Sequence, residues 1–230
     1  MSTQSTVRVR PRVTWAVVAV LTTIVLVFFV LRLVADVPPL VRGTVPPPTA
    51  FEQRYVRHPV PAYVHIVPGV LFLLGGAWQL SGRFRNRHLV LHRRLGRFLV
   101  GGALLSGVLA VVIGVWFPYG GTAESGASVV FGLLFVVEIV LGARAIRARR
   151  VLEHRRWMIR AYAVGLGVGT IRLWIGLFTA VGLLSITDNR GTAWFGVAFW
   201  IAFVLHVLVA EAYLRVAPRP GVRKGRGPGP

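Results

Sequence analysis

The sequence predicts an all-α polytopic integral membrane protein, a bundle of six transmembrane helices with both termini in the cytoplasm. Three observations predict it. The 230 residues are 55% hydrophobic and only 15% charged, with a mean hydropathy of +0.67, whereas a soluble domain carries about 25% charged residues. Six apolar stretches each approach the about 20 residues that cross ~30 Å of hydrocarbon. The basic residues, 27 Lys+Arg against 7 Asp+Glu, cluster between alternate stretches.

The expected spans are 13–35, 63–81, 98–117, 127–146, 161–184 and 193–216, forming one domain over 13–216. Residues 1–12 form a basic cytoplasmic tail, and the Pro/Gly/Arg-rich stretch 217–230 a disordered basic one. The first span is too long for the apolar region of a secretory signal, and Ala35-Asp36-Val37 is no cleavage site, so it reads as an uncleaved anchor. Between the first two spans, residues 36–62 carry seven prolines and are expected to be extended over the periplasmic mouth.

Orientation follows from charge. Arginines between the second and third spans, arginines between the fourth and fifth, and both tails place 21 of the 27 basic residues on one side. The other side holds only Arg42, Arg54, Arg57 and Arg190, while Arg32 and Arg172 lie within spans. The positive-inside rule puts the basic side in the cytoplasm. Trp15 and Trp157 at inner boundaries, and Tyr63, Trp116, Tyr119 and Trp194 at outer ones, suit the headgroup level.

The composition excludes several classes. So apolar a chain is no disordered polyelectrolyte, and arginines divided among apolar runs do not make a nucleic-acid surface. Without cysteine there is no disulfide, thiol nucleophile, iron–sulfur cluster or covalently attached haem. No nucleophile–base constellation or phosphate loop is present, which leans the reading away from an enzyme.

The most distinctive motif is a quasi-repeat. His92-Arg93-Arg94-Leu95-Gly96-Arg97 precedes the third span, and His154-Arg155-Arg156-Trp157-Met158-Ile159-Arg160 precedes the fifth. Together with Gly76-Ala77-Trp78-Gln79-Leu80-Ser81-Gly82-Arg83 and the later Arg172-Leu173, this spacing resembles the bacterial predicted-membrane-protein family known as domain-of-unknown-function family 2306. The resemblance covers roughly Tyr63 to Trp174. It implies a multi-pass protein of the bacterial cytoplasmic (inner) membrane whose activity is unassigned. It also marks a cytoplasmic cluster of motif residues: Gln79, Arg83, His92, Arg93, Gly96, Arg97, His154, Arg155, Trp157, Met158 and Arg160.

Two constellations carry chemistry. His92 and His154 stand at similar depth on two helices, the arrangement that axial ligation of a b-type haem needs. Against it stands a role in holding lipid phosphate or carbonyl groups beside the arginines. His65 and His206 differ in expected depth by roughly 16 Å at 1.5 Å per residue, so one iron does not join them. His88 and His92 share a helical face but lack a carboxylate, so no metal site is expected.

The second constellation is a midplane trio, Glu138, Arg172 and His206, at expected depths of roughly 16–20 Å. Charges there are costly and should pair, Glu138 with Arg172 and His206 beside them. The trio serves either a small-solute or proton transporter or merely the pinning of three helices. Arg32 is expected to pair with Asp36, and Glu211 with Arg215, four residues on in each case. Gly165 and Gly169 form a Gly-x-x-x-Gly pair suited to close helix packing. The expected partners are the bilayer and, at the cytoplasmic face, anionic lipid headgroups.

Overall fold

A computed structural model describes residues 11–47 and 51–216; the two tails, 1–10 and 217–230, lie outside the described residues. Eight helices follow one another: α1 Pro11–Arg42, α2 Gln53–Arg57, α3 Pro59–Leu80, α4 Gly82–Arg87, α5 Leu89–Trp116, α6 Gly121–Arg147, α7 Val151–Ala180 and α8 Ala193–Val216. Six of them, all but α2 and α4, are long and apolar enough to cross a membrane. Among the described residues the only β pairing is an isolated bridge between Ser185 and Arg190.

The long helices run back and forth, as their side-chain contacts show. Tyr63 at the start of α3 donates to Asp36 near the end of α1 at 3.0 Å, and Arg160 early in α7 grips Glu211 late in α8. One end of the bundle therefore collects α4, the starts of α5 and α7 and the end of α6, with their arginines. We call it the basic end, and the opposite one the far end.

Helices extend beyond the apolar stretches at the basic end. α5 begins at Leu89 and α7 at Val151, so both His-Arg-Arg motifs lie on the first turns of membrane helices. The 36–62 connection also departs from expectation, being largely helical rather than extended. α1 continues through Pro38 and Pro39 to Arg42 and stops where Gly43 takes φ +65°, a left-handed conformation natural to glycine after a helix. Pro59 then occupies the first turn of α3, where a missing N–H costs nothing. Prolines here delimit helices.

Central in the bundle is α7, which packs on α6 and α8 and also meets α1 and α3. Its glycine run makes this approach close. A Cβ on Gly169 would sit 2.8 Å from the Leu21 carbonyl of α1, one on Gly167 2.8 Å from Phe203 of α8, and one on Gly165 3.1 Å from Leu73 of α3. The Gly-x-x-x-Gly pair thus serves two different neighbours. Two apolar clusters result: Leu21, Leu73, Ile139 and Tyr162 among α1, α3, α5, α6 and α7, and Phe131, Ile175, Phe195 and Phe203 among α6, α7 and α8. Among the described residues α1 packs on α2, α3 and α7.

Candidate functional site

The midplane trio does not assemble. Among the described residues no ion pair joins Glu138 to Arg172, and Glu138 Oε2 is buried without a hydrogen-bond partner. The physical reason is depth. α6 starts at Gly121 and α7 ends at Ala180, so Glu138 is 17 residues from the far end and Arg172 only 8. At about 1.5 Å per residue this places them roughly 26 Å and 12 Å down. The charges acting on Glu138 are Arg160 and Glu211. His206 instead sets its Nε2 2.7 Å from the Thr170 hydroxyl.

The second charge-pair correction concerns Glu211. It reaches across to Arg160 rather than along its own helix to Arg215, with Oε1 against Nε and Oε2 3.1 Å from Nη2. The planar Arg160 guanidinium matches the carboxylate on two prongs, while Arg215 acts on Glu211 as a neighbouring charge. Arg32 does pair with Asp36, at 3.0 Å.

At the basic end the motif residues gather where α3, α5, α6 and α7 converge. A Cβ on Gly96 would lie 3.4 Å from Gln79 Oε1, and one on Gly142 would meet Met158 and Trp157. His154 donates from Nδ1 to the Gly142 carbonyl at 2.9 Å, a carbonyl being able only to accept. His92 is close enough for His154 to act on it electrostatically, and its Nδ1 is buried without a partner, as is Gln79 Nε2. Arg160 lies over the Trp157 ring at 4.8 Å. Arg83, Arg93 and Arg97 are exposed and Arg155 is half-buried.

The cavity within the bundle lies elsewhere. A cavity of about 260 Å³ opens in the far half of the bundle, lined from α1, α2, α3, α5, α6, α7 and α8. Its wall is mostly apolar, with Phe28, Phe72, Phe135 and Phe203 prominent. Its polar lining includes Arg32, Tyr55, His65, Ser106, Glu124 and Arg172. Neither His92 nor His154 reaches it, and of the trio only Arg172 does.

The charges around this cavity do not balance. The Arg32 guanidinium is answered by Asp36, a fully buried carboxylate that also accepts from Tyr63. Glu124 reaches back to the backbone N–H groups of Tyr119 and Gly120, both at 2.6 Å, satisfying donors ahead of α6. Arg54 stands 4.0 Å from Glu124, bonds the Phe117 carbonyl at 3.3 Å and stacks on Phe51 at 4.2 Å. Its Nε and Nη2 stay unpartnered. Arg172 has the face of Phe28 5.3 Å away and feels Tyr55 and Glu124 across the cavity; among the described residues it has no carboxylate within 4 Å and no hydrogen-bond acceptor. Of the carboxylates in contact with these arginines, Asp36 is taken by Arg32 and Tyr63, and Glu124 largely by amides.

A second, open cavity of about 520 Å³ at the far end is lined by Arg54, Arg57, His58, Phe117, Tyr119 and Asn189, among others. Tyr119 donates to Asn189 Oδ1 at 2.8 Å, and burial pushes its phenol up. Arg54 lines this vestibule and Glu124 the bundle cavity, so their contact stands between the two.

Sequence reasoning overlooked Arg54, Tyr55 and Glu124, and weighed His65 only as a partner for His206. The available signal was the scarcity of acids: with 7 Asp+Glu in the chain, a Glu at the head of an apolar helix marks a point where charge is answered.

Comparison with curated proteins and with solved structures gives no match. The predicted membrane protein family DUF2306 matches residues 62–214, which leaves α1 and α2, with Arg32 and Tyr55, outside the matched region. Covering two-thirds of the sequence and five of its six spanning helices, that match shows that the chain belongs to the predicted membrane protein family DUF2306.

Proposed function

We propose that this multi-pass protein resides in a bacterial cytoplasmic membrane with both termini inside, and that its far-half cavity binds an amphipathic anion. One observation carries the reading: Arg172 lines a mostly apolar cavity inside a membrane bundle without a carboxylate within 4 Å, the nearby Glu124 being held by backbone amides. A guanidinium carries five donors and a fixed charge, and at such depth it calls for an anion. The aromatic and aliphatic wall suits an apolar body attached to that anion. Arg32 supplies a second cation beside it, and the vestibule behind Arg54 offers a polar approach. Of the trio that suggested a transporter, Arg172 is the member retained.

The basic end supports the orientation. Arg83, Arg87, Arg93, Arg97, Arg147 and Arg156 are exposed there, as suits a cytoplasmic face over anionic lipid headgroups. Around them, Gln79, His92, Gly96, His154, Trp157, Met158 and Arg160 position α3, α5, α6, α7 and α8 against one another.

The test is immobilisation of a doxyl-labelled stearate by the detergent-purified protein, followed by electron paramagnetic resonance. The free acid should show an immobilised fraction well above that of its methyl ester. Arg172→Gln should lower the acid to the ester's level. Equal immobilisation of acid and ester by wild type would contradict the reading.

A further inference from the structure

Arg172 stands on a seam between α1 and α7 that is closed at one level and open at the next. Both helices end at the far end of the bundle, so they run parallel. On α7, Gly169, Arg172 and Gly176 share a face, the latter two lying three and seven residues on. A Cβ on Gly169 would sit 2.8 Å from the Leu21 carbonyl of α1, whereas one on Gly176 would meet nothing within 4 Å. The facing side of α1 shows the same change: Leu21, Val25 and Phe28 are 7%, 8% and 41% exposed. The two helices therefore touch at Gly169 and part within the next two turns.

The opening leads into the cavity. Phe28 lines the cavity, and every other lining residue is buried or half-buried, so the wall is thinnest at this ring. Arg172 lies over the same ring. Leu31 on α1, and Leu173 and Leu177 on α7, are exposed beside it, an apolar surface of the kind that faces lipid. The aqueous route is less direct. Between vestibule and cavity stands the contact of Arg54 with Glu124, and four aromatic rings surround the Arg54 guanidinium.

We infer that the anion held by Arg172 is a lipid of the bilayer itself, which enters sideways between α1 and α7. Its charged group sits on Arg172, and its acyl chain passes out beside Phe28 into the hydrocarbon. The cavity then needs to hold only the anion and the first part of the chain, while the remainder stays in its ordinary solvent. This inference rests on the reading that Arg172 marks an anion site, and it adds where the anion comes from.

The experiment reconstitutes the full chain in phosphatidylcholine vesicles that carry a trace of phosphatidylglycerol or phosphatidylcholine spin-labelled on the acyl chain. Electron paramagnetic resonance compares the immobilised fractions. Both labels are insoluble in water, so a preference between them is exerted within the bilayer. Wild type should prefer phosphatidylglycerol, and Arg172→Gln should lower that preference about threefold, the worth of a partly screened ion pair. Gly176→Trp, which fills the opening and leaves Arg172 in place, should lower it equally. Gly101→Trp, on an exposed and equally open face of α5, should leave it unchanged. If Gly176→Trp fails to fold, Gly176→Leu replaces it. A preference that depends on Arg172 but survives Gly176→Trp overturns the inference. So does a preference lost equally in Gly176→Trp and Gly101→Trp, and so does one unchanged in Arg172→Gln, which would come from the basic end. Arg172-dependent immobilisation of labelled stearate in detergent, without any phosphatidylglycerol preference in vesicles, overturns lateral entry and leaves the anion site, filled from water through the vestibule. Absence of both overturns both.

Discussion

Arg32 and Arg172 face the same cavity from α1 and α7, and only Arg32 has a carboxylate, Asp36 at 3.0 Å. A cation without its anion inside a bilayer is a stability cost of about 2.5–3.5 kcal/mol on insertion scales. The ligand-stripped Arg172→Gln protein should therefore melt at the same temperature as wild type or above it. Arg32→Gln should melt lower, because it leaves the fully buried Asp36 without its cation. Thermal unfolding in detergent after delipidation checks both. A lower melting temperature for stripped Arg172→Gln would mean that Arg172 has an internal partner.

Glu138 and Arg172 are separated in depth and should be energetically independent. A double-mutant cycle with Glu138→Gln and Arg172→Gln, read from the same melts, should give a coupling below about 0.5 kcal/mol. A coupling of several times that value would restore the midplane ion pair.

Arg160 and Glu211 carry the tie between α7 and α8 at the basic end. Glu211→Gln should cost about 1–2 kcal/mol, a value held down because its side chain is a third exposed. Arg215→Ala should cost almost nothing. Denaturation of the two variants side by side distinguishes the interhelical pair from the same-helix one.

Gly169 admits the backbone of α1, since a Cβ there would press on the Leu21 carbonyl at 2.8 Å. Gly169→Val should destabilise by about 1–3 kcal/mol, as overpacking does. It should also loosen the cavity wall that α1 supplies. A cysteine crosslink between α1 and α7, introduced into this cysteine-free chain, should form more slowly in that variant.

What the sequence made legible follows the range of the physics involved. Six spans were readable because apolar length is a local property of each segment. The Arg32–Asp36 pair was readable because helical geometry alone puts residues four apart on one face. Depth was not readable to the accuracy an ion pair needs. Apolar runs mark hydrocarbon rather than helix ends, and shifting the reference point from residue 127 to Gly121 and from residue 184 to Ala180 separates Glu138 from Arg172. Glu211 was assigned the neighbour its own helix offered, since the competing Arg160 lies 51 residues away. The cavity is a property of seven elements at once, so its lining had no local signature. His65 and Glu124 gain their meaning only when α5 and the turn before α6 close on them.

The most direct measurement of the central claim is mass spectrometry of the organic extract from purified protein, wild type against Arg172→Gln. Wild type should yield an anionic amphipathic molecule in near-stoichiometric amount, and Arg172→Gln should lose most of it while remaining folded. The same extract from both proteins, or an extract from wild type that contains no anionic species above the detergent blank, would contradict the account.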